Sequence, residues 1–508
     1  METSSVSEKR ASSSEEQHAT ASSQVEDSGA EEQKTTNISL ITTDDPNSVV
    51  FDGPDDPEDP QNWPNKYKYG LVGLLSAMQT MVNLGTLMCT PAVPVILQSF
   101  GARNNDYYSV LLVAIWELGE ACGPLLVAPM SEYFGRLPVY HTANVMFTVW
   151  TIASALSQNV EMLIAFRFLT GLSVASVTLD ATVVGDMFPV EKRGTVQSIL
   201  GIAPLIGPVL GPTIGGMISE SIGWRWMFWI LAICSGVIEV GFIAFFRETY
   251  KVAILRKKTK RLRKETGNEQ LRPSIERPSS FELFLQKGLI RPARMICLSP
   301  VLILLAIHVS VIFAYLYILL TTLTPVFEHN YGFSTRSASL VYIGIGLGMV
   351  CGMFCCRYTL DRFVRYNKTK GRAKPEQRLV PMVAGGIVVP IGLLVYGWTA
   401  QVRAHWMVPV VGLAICGFSV ATTIISSFSY LVDAFGIYAA SAIAAIITLR
   451  CVAGVLLPLA GPALFAKLGL GWGATLLALI SLAFLPIPIV MMRVGERIRN
   501  SSKLKIIF

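Results

Sequence analysis

The chain has 508 residues, of which 52% are hydrophobic and only 15% charged, with a mean hydropathy of +0.50. That is far too apolar for a string of soluble domains and points to a multi-span membrane protein. A net charge of +7 alone would suit a nucleic-acid binder, but where the charges fall along the chain assigns them to membrane topology instead.

Residues 1–66 are rich in Ser, Glu and Asp without helical periodicity and read as a disordered tail. No apolar signal-peptide core precedes a small-residue cleavage site, so the first span is expected to act as the insertion signal. Apolar windows of about 20 residues, the length that crosses ~30 Å of hydrocarbon, follow at 68–90, 107–130, 139–158, 162–186, 195–219 and 225–246. A second set lies at 299–324, 337–359, 379–399, 406–431, 436–465 and 470–492, after a basic segment at 247–298 and before a C-terminal tail at 493–508. The expected fold is an all-α membrane protein, with twelve transmembrane helices in two six-helix pseudo-symmetric bundles, 67–246 and 299–492.

Orientation follows from lysine and arginine. Most of the 42 sit in the tails, the middle loop and the segments after even-numbered spans, while Arg103, Arg225, Arg336, Arg403 and Lys467 are those on the opposite side. Both termini are therefore predicted to be cytoplasmic. The Asn-x-Ser/Thr sequons at Asn37, Asn367 and Asn500 all fall on that side, where they would not be glycosylated. Of the nine Cys, those within spans, including Cys89 and Cys451, read as small packing residues.

Inside span five the chain reads Gly207-Pro208-x-x-Gly211-Pro212-x-x-Gly215-Gly216. Each interior Gly costs about 1 kcal/mol and each Pro about 3 kcal/mol in a soluble helix, a burden that a bilayer-enforced helix tolerates. The four-residue spacing lines up Gly207, Gly211 and Gly215 as a groove for a neighbouring helix. The expected neighbour is span eight of the second half.

The halves repeat one another. Gly123 is followed by Glu132 and Arg136, and Gly352 by Asp361 and Arg365, at the same offsets of nine and thirteen; Asp186 and Asp433 end spans four and ten. Such acids and arginines on the short inner loops suit a conformational latch that forms in one state only.

Gly123-Pro124-Leu125-x-x-Ala128-Pro129-x-Ser131-Glu132-x-x-Gly135-Arg136-x-Pro138 resembles the loop two-three motif of the major facilitator superfamily. Arg167-Phe-Leu-Thr-Gly171 resembles its fourth-span motif, and the glycine ladder its fifth-span antiporter motif. Asp56-Pro57-Glu58-Asp59-Pro60-Gln61-Asn62-Trp63, Arg247-Glu248-Thr249-Tyr250, Pro375-Glu376-x-Arg378-Leu379 and Tyr430-Leu-Val-Asp433 resemble the fungal twelve-span drug:proton antiporter branch. The chain departs from the loop motif in carrying Ser131-Glu132 where an Asp is usual. The resemblance implies a proton-driven antiporter, and it implies that Arg167 acts on the proton-carrying acid.

Charged groups inside spans cost about 2.5–3.5 kcal/mol each even on lenient scales, so Glu117, Glu120, Arg167, Asp180, Glu239 and Arg450 call for a reason. Glu117 and Glu120, three residues apart on span two, share a face, and two acids there cannot both ionise cheaply. They are the proton-carrier candidates, with Arg167 as their modulator. Asp180 reads as shallow and solvated, Glu239 as a packing or snorkelling residue, and His308 as a hydrogen-bonded packing histidine. Arg450 is either an anion-binding cation of the cavity, a balance for the acids, or a partner of backbone carbonyls. Gln79, Asn83, Tyr315, Tyr317, Tyr342, Ser426, Phe428 and Arg450 make an amphiphilic cavity set, better suited to aromatic or terpenoid-like solutes than to sugars.

No Gly-Lys dipeptide occurs, which excludes a phosphate-cradling ATP loop, and the five scattered His show no metal-ligand spacing. The expected protein is not an enzyme, needs no cofactor or metal beyond a proton gradient, does not bind nucleic acid, and works as a monomer in the bilayer on a small-molecule substrate. Export of drugs, toxins or secondary metabolites across the cell membrane is the leading reading; import of a nutrient is the alternative. Arg247-Glu248-Thr249-Tyr250 stands where sugar porters show Pro-Glu-Ser-Pro-Arg, which lowers the latter.

Overall fold

The structure, a computed structural model, describes residues 47–275, 291–369 and 374–499, apart from positions 54, 103–104, 202 and 437–438. All twelve apolar windows are helical. In the first half, span one is Asn65–Leu87 continued through a 3-10 turn by Val93–Ser99, span two Asp106–Phe134 and span three Arg136–Ala155. Span four is Val160–Leu172 and Ser176–Met187, span five Val190–Leu200 and Ala203–Ser221, and span six Arg225–Phe245. In the second half, span seven is Pro300–Tyr331, span eight Tyr342–Thr369 behind the short helix Thr335–Leu340, span nine Val380–Gln401 and span ten Met407–Phe435. Ala439–Leu456 begins span eleven, and the following helical run to Arg499 contains the end of eleven and all of twelve, parted at Gly469, whose φ of +77° breaks the helix.

The ends of these helices are written locally. Asn105 accepts hydrogen bonds from the backbone N–H groups of Tyr107 and Tyr108 to open span two, Asn159 caps span four through Met162, and Ser299 caps span seven ahead of Pro300. Span seven stops at Gly332, which takes the left-handed conformation open to glycine.

Within each bundle, glycines bring helices into backbone contact. A methyl group at Gly119 would sit 2.3 Å from Phe168 O, and one at Gly171 2.3 Å from Trp116 O, so spans two and four interlock. The second half repeats this between spans eight and ten, where Gly348 faces Ala414 O and Gly417 faces Ile345 O. The internal duplication seen in the loops thus extends to the packing of the matching helix pairs.

Two hydrophobic cores, one around Leu71, Phe147 and Phe242 and one around Leu305, Met382 and Tyr430, each belong to one bundle and lie towards the basic loops. The third, with Leu97, Trp224, Leu316 and Tyr342, draws on both bundles at the opposite end. There Glu220 accepts the Arg336 backbone N–H at 2.6 Å and the Ser339 hydroxyl meets Thr213 O at 3.4 Å. The seam between the bundles is closed at this end.

The ladder corrects one expectation. Gly207, Gly211 and Gly215 face span one, on Asn83, the Leu84 carbonyl and the Met88 carbonyl, rather than the second half. It is Gly216, on the other side of the helix, that meets Ser339 just ahead of span eight, and Val209 that meets Gly346 within it. Pro212 is buried in the same helix, and the Pro208 side chain lies outside the described set.

The N-terminal tail and middle loop also differ from expectation. The described residues of 47–56 and 251–275 belong to a separate unit. In it the strand β1 (Ser48–Val49) pairs in parallel with β2 (Arg272–Pro273), beside a helix at Lys251–Thr266. Lys258, only 4% exposed, reaches Asp52 at 2.8 Å and Asp56 at 3.3 Å. These contacts join chain segments about two hundred residues apart, which local composition does not reveal. Residues 1–46 lie outside the described residues.

Candidate transport and proton-coupling site

Glu117 and Glu120 lie on one face of span two, 3% and 9% exposed, at the seam between the bundles. Glu117 Oε1 accepts the Tyr317 hydroxyl of span seven, and its Oε2 accepts the Cys451 thiol of span eleven at 3.1 Å. Arg450, the residue before that cysteine, lays its guanidinium 4.2 Å over the Phe313 ring and interacts electrostatically with both glutamates. Its Nε is buried without a hydrogen-bond partner. No hydrogen bond or ion pair from Arg450 to either carboxylate is formed among the described residues, so its three possible roles stay open. A first-half acid is bonded by two side chains of the second half.

Arg167 sits elsewhere. It is 1% exposed and donates to Leu112 O at 3.2 Å, Gly85 O at 2.6 Å and Thr86 O at 2.7 Å, with the Trp116 ring 4.8 Å away. It pins spans one, two and four together through backbone carbonyls, and no carboxylate is among these partners.

At the basic end, the latch residues meet inside their own bundles. Arg136 approaches Asp186 at 3.5 Å, donates to Ser131 Oγ at 2.5 Å, and stacks 4.9 Å from the Tyr250 ring. Glu248 accepts the backbone N–H groups of Arg136 at 2.9 Å and Leu137 at 3.2 Å, capping span three, while Thr249 reaches Asp186 at 3.4 Å. The Arg247-Glu248-Thr249-Tyr250 motif thus embraces the loop two-three arginine, and Ser131 takes the contact expected of an acid; Glu132 is exposed. Gly123 packs on Leu172 O and supports the loop from below. In the second half Arg378 meets Asp433 at 2.7 Å, joining two further motifs. The side chains of Asp361 and Arg365 lie outside the described set.

The remaining buried ions are structural. Asp180 is not solvated as expected: it is buried and accepts the Tyr140 hydroxyl at 2.7 Å. Glu239 does not snorkel but takes His141 at 2.6 Å and Asn144 at 2.8 Å. His308 packs against Phe484 O at 3.3 Å, as expected of a packing histidine.

Among the cavity candidates, Gln79 Oε1 and Tyr315 Oη are buried without a protein partner, as suits groups held for a ligand or water, whereas Ser426 lies against Cys356 of span eight within the second bundle. Asn83 is turned to Gln79 O, Tyr342 is committed to Thr324 and Leu320 O, and Phe428 packs in the second-half core. Sequence reasoning missed Cys451 and the capping Glu248. The adjacency of Cys451 to an intramembrane arginine was the available signal for the former.

The chain matches the Major Facilitator Superfamily model over residues 75–458. It is 43% identical over 467 residues to the MFS-type transporter penM of Penicillium rubens, covering 91% of this chain and 92% of the relative. It is 41% identical over 466 residues to the efflux pump radE of Floropilus chiversii, covering 91% and 86%. Among solved structures, the partially occluded inward-open xylose transporter XylE from E. coli aligns with a TM-score of 0.63 at 17% identity, over 84% of this chain and 98% of that one. A bacterial homologue of the lysosomal transporter Spinster, inward-facing and unoccupied, aligns at 0.61 and 12% identity, over 86% and 98%. With helical spans in two repeated bundles among the described residues, this chain belongs to the major facilitator superfamily and is a multi-pass membrane transporter rather than an enzyme.

Proposed function

We propose that the protein is a proton-driven antiporter that exports small amphiphilic molecules, such as secondary metabolites or toxic compounds, across the cell membrane. The observation that carries the proton part is the Glu117 carboxylate, buried at the seam and held by donors of the opposite bundle. A group so placed changes its bonds to the other half whenever it gains or loses a proton, which is what coupling a proton to alternating access requires. The export direction is supported by relatives described as an efflux pump and as transporters. The substrate class is supported by aromatic and hydroxyl groups in the core shared by both bundles, Phe313 and Tyr315.

The energy suffices. One proton moving down ~100 mV and ~2 pH units releases roughly 5 kcal/mol, enough for a solute ratio above about 10³. The test compares metabolites inside and outside cells with and without the protein. A compound that accumulates inside only when the protein is absent, and that is retained again when an uncoupler dissipates the gradient, supports the reading. Reduced uptake in the deletion would reverse the direction, and uncoupler-insensitive export would remove the proton.

A further inference from the structure

We propose that Cys451 is a positioning residue of the proton-coupling site: with the Tyr317 hydroxyl, its thiol holds Glu117 to the second bundle, so that proton uptake by Glu117 loosens spans seven and eleven from span two. This rests on the proton-coupled reading above. The geometry is specific: the two oxygens of one carboxylate each take one donor, both donors come from the opposite half, and all three side chains are buried. A carboxylate accepts both bonds. A carboxylic acid carries a hydroxyl on one oxygen, which accepts far more weakly than a carboxylate oxygen, so when the proton arrives one of the two cross-seam bonds must weaken or reverse its direction. No other covalent bond changes.

The charged and titratable groups around Glu117 are few. Glu120 shares its helix, and Arg450 faces both acids from span eleven. Arg167 of span four is spent on backbone carbonyls. Asp180 and Tyr140 bind each other, as do His141 and Glu239, and Arg136 is held by Asp186, all within the first bundle. Tyr317 and Cys451 are therefore the hydrogen-bond donors whose removal reports directly on Glu117. A cysteine kept only to fill space would not influence proton affinity.

The test is an infrared pH titration of the full-length transporter in lipid nanodiscs, following the carboxylic-acid C=O band that disappears in Glu117→Gln. Removing a donor disfavours the carboxylate, so Cys451→Ala moves the midpoint of that band upward by about half to one pH unit, and Tyr317→Phe by about one to two. Cys451→Ser, whose hydroxyl is a stronger donor than a thiol, moves it downward; this variant carries the test if Cys451→Ala fails to reach the membrane. Identical midpoints in the wild type and the Cys451 variants overturn the proposal, as does a spectrum in which Glu117→Gln removes no band. The transport assay with uncoupler judges the antiport reading on its own, because it depends on cellular gradients and not on this midpoint.

Discussion

Arg378 donates its Nε hydrogen to Asp433 Oδ2 at 2.7 Å, and both residues belong to the second bundle. The first bundle also makes an arginine–aspartate pair, Arg136 with Asp186, although the arginine that matches Arg136 in the repeat is Arg365. Among the described residues, no ion pair crosses the seam at the basic end, whereas the opposite end is sealed by Glu220, Thr213 and Ser339. Among the described latch candidates, Arg136, Asp186 and Asp433 are thus paired within their own halves.

The two pairs differ in burial, and their loss should differ accordingly. Arg378 and Asp433 are 23% and 35% exposed, so Arg378→Ala is expected to cost at most about 1 kcal/mol. Arg136 is nearly buried and also holds Ser131 and Tyr250, so Arg136→Ala should cost about 3 kcal/mol. Thermal unfolding of the purified variants measures the contrast; equal losses would show that burial does not set the energetics here.

His141→Ala should destabilise by about 1–3 kcal/mol, because Glu239 then stays buried with Asn144 as its remaining donor. Adding Glu239→Gln should recover part of that loss by removing the buried charge. A thermal-stability cycle over the four proteins reads this directly, and strict additivity would mean that the two side chains do not interact.

Gly119→Val should abolish accumulation in the membrane, since even a methyl group would meet Phe168 O at 2.3 Å and neither backbone can retreat. Gly73→Ala on span one has nothing within 4 Å and should be neutral or stabilising by up to about 1 kcal/mol. Quantifying folded protein by size-exclusion in detergent distinguishes them.

Arg167→Lys should fail to replace arginine. Three carbonyls on two helices take three separate guanidinium nitrogens, a fork that one ammonium on a flexible stem does not reproduce. Stability should fall by about 2 kcal/mol or more, given the strength of charge-assisted hydrogen bonds. A shifted pH profile of transport at unchanged stability would instead tie Arg167 to the glutamates.

Lys258→Met should expose the segment around β1 to protease. Burial pushes the Lys258 ammonium down, but the bonds to Asp52 and Asp56 outweigh it and hold the group above its ordinary value. A group raised on folding contributes below its unfolded value and is lost as pH rises past the folded one. Protection near residue 50 should therefore persist through neutral pH and fade only under strongly alkaline conditions.

The fold was legible in the sequence because its signals are local: twenty-residue apolar windows and the placement of Lys and Arg between them. The repeat was legible too, through Gly123 with Arg136 and Gly352 with Arg365. What escaped was the identity of partners. Glu117 advertises a buried charge, but nothing near it in the chain says that Tyr317 and Cys451, two hundred and more residues away, will bond to it. The ladder failed for the same reason, since spacing shows which glycines share a face and is silent on which helix fills it.

The glycine contacts fall into two kinds, with a mechanical consequence. Inside a bundle, Gly119, Gly171, Gly215, Gly348 and Gly417 rest on backbone carbonyls, which have no rotamers and give no slack. At the seam, Gly216 and Gly346 rest chiefly on side-chain atoms of Ser339 and Val209. Each half is built like a welded frame, and the join between them like a bearing. Sliding of helices within a half would therefore have to displace main-chain carbonyls at these five glycines, whereas relative movement of the halves would meet side-chain atoms at Gly216 and Gly346.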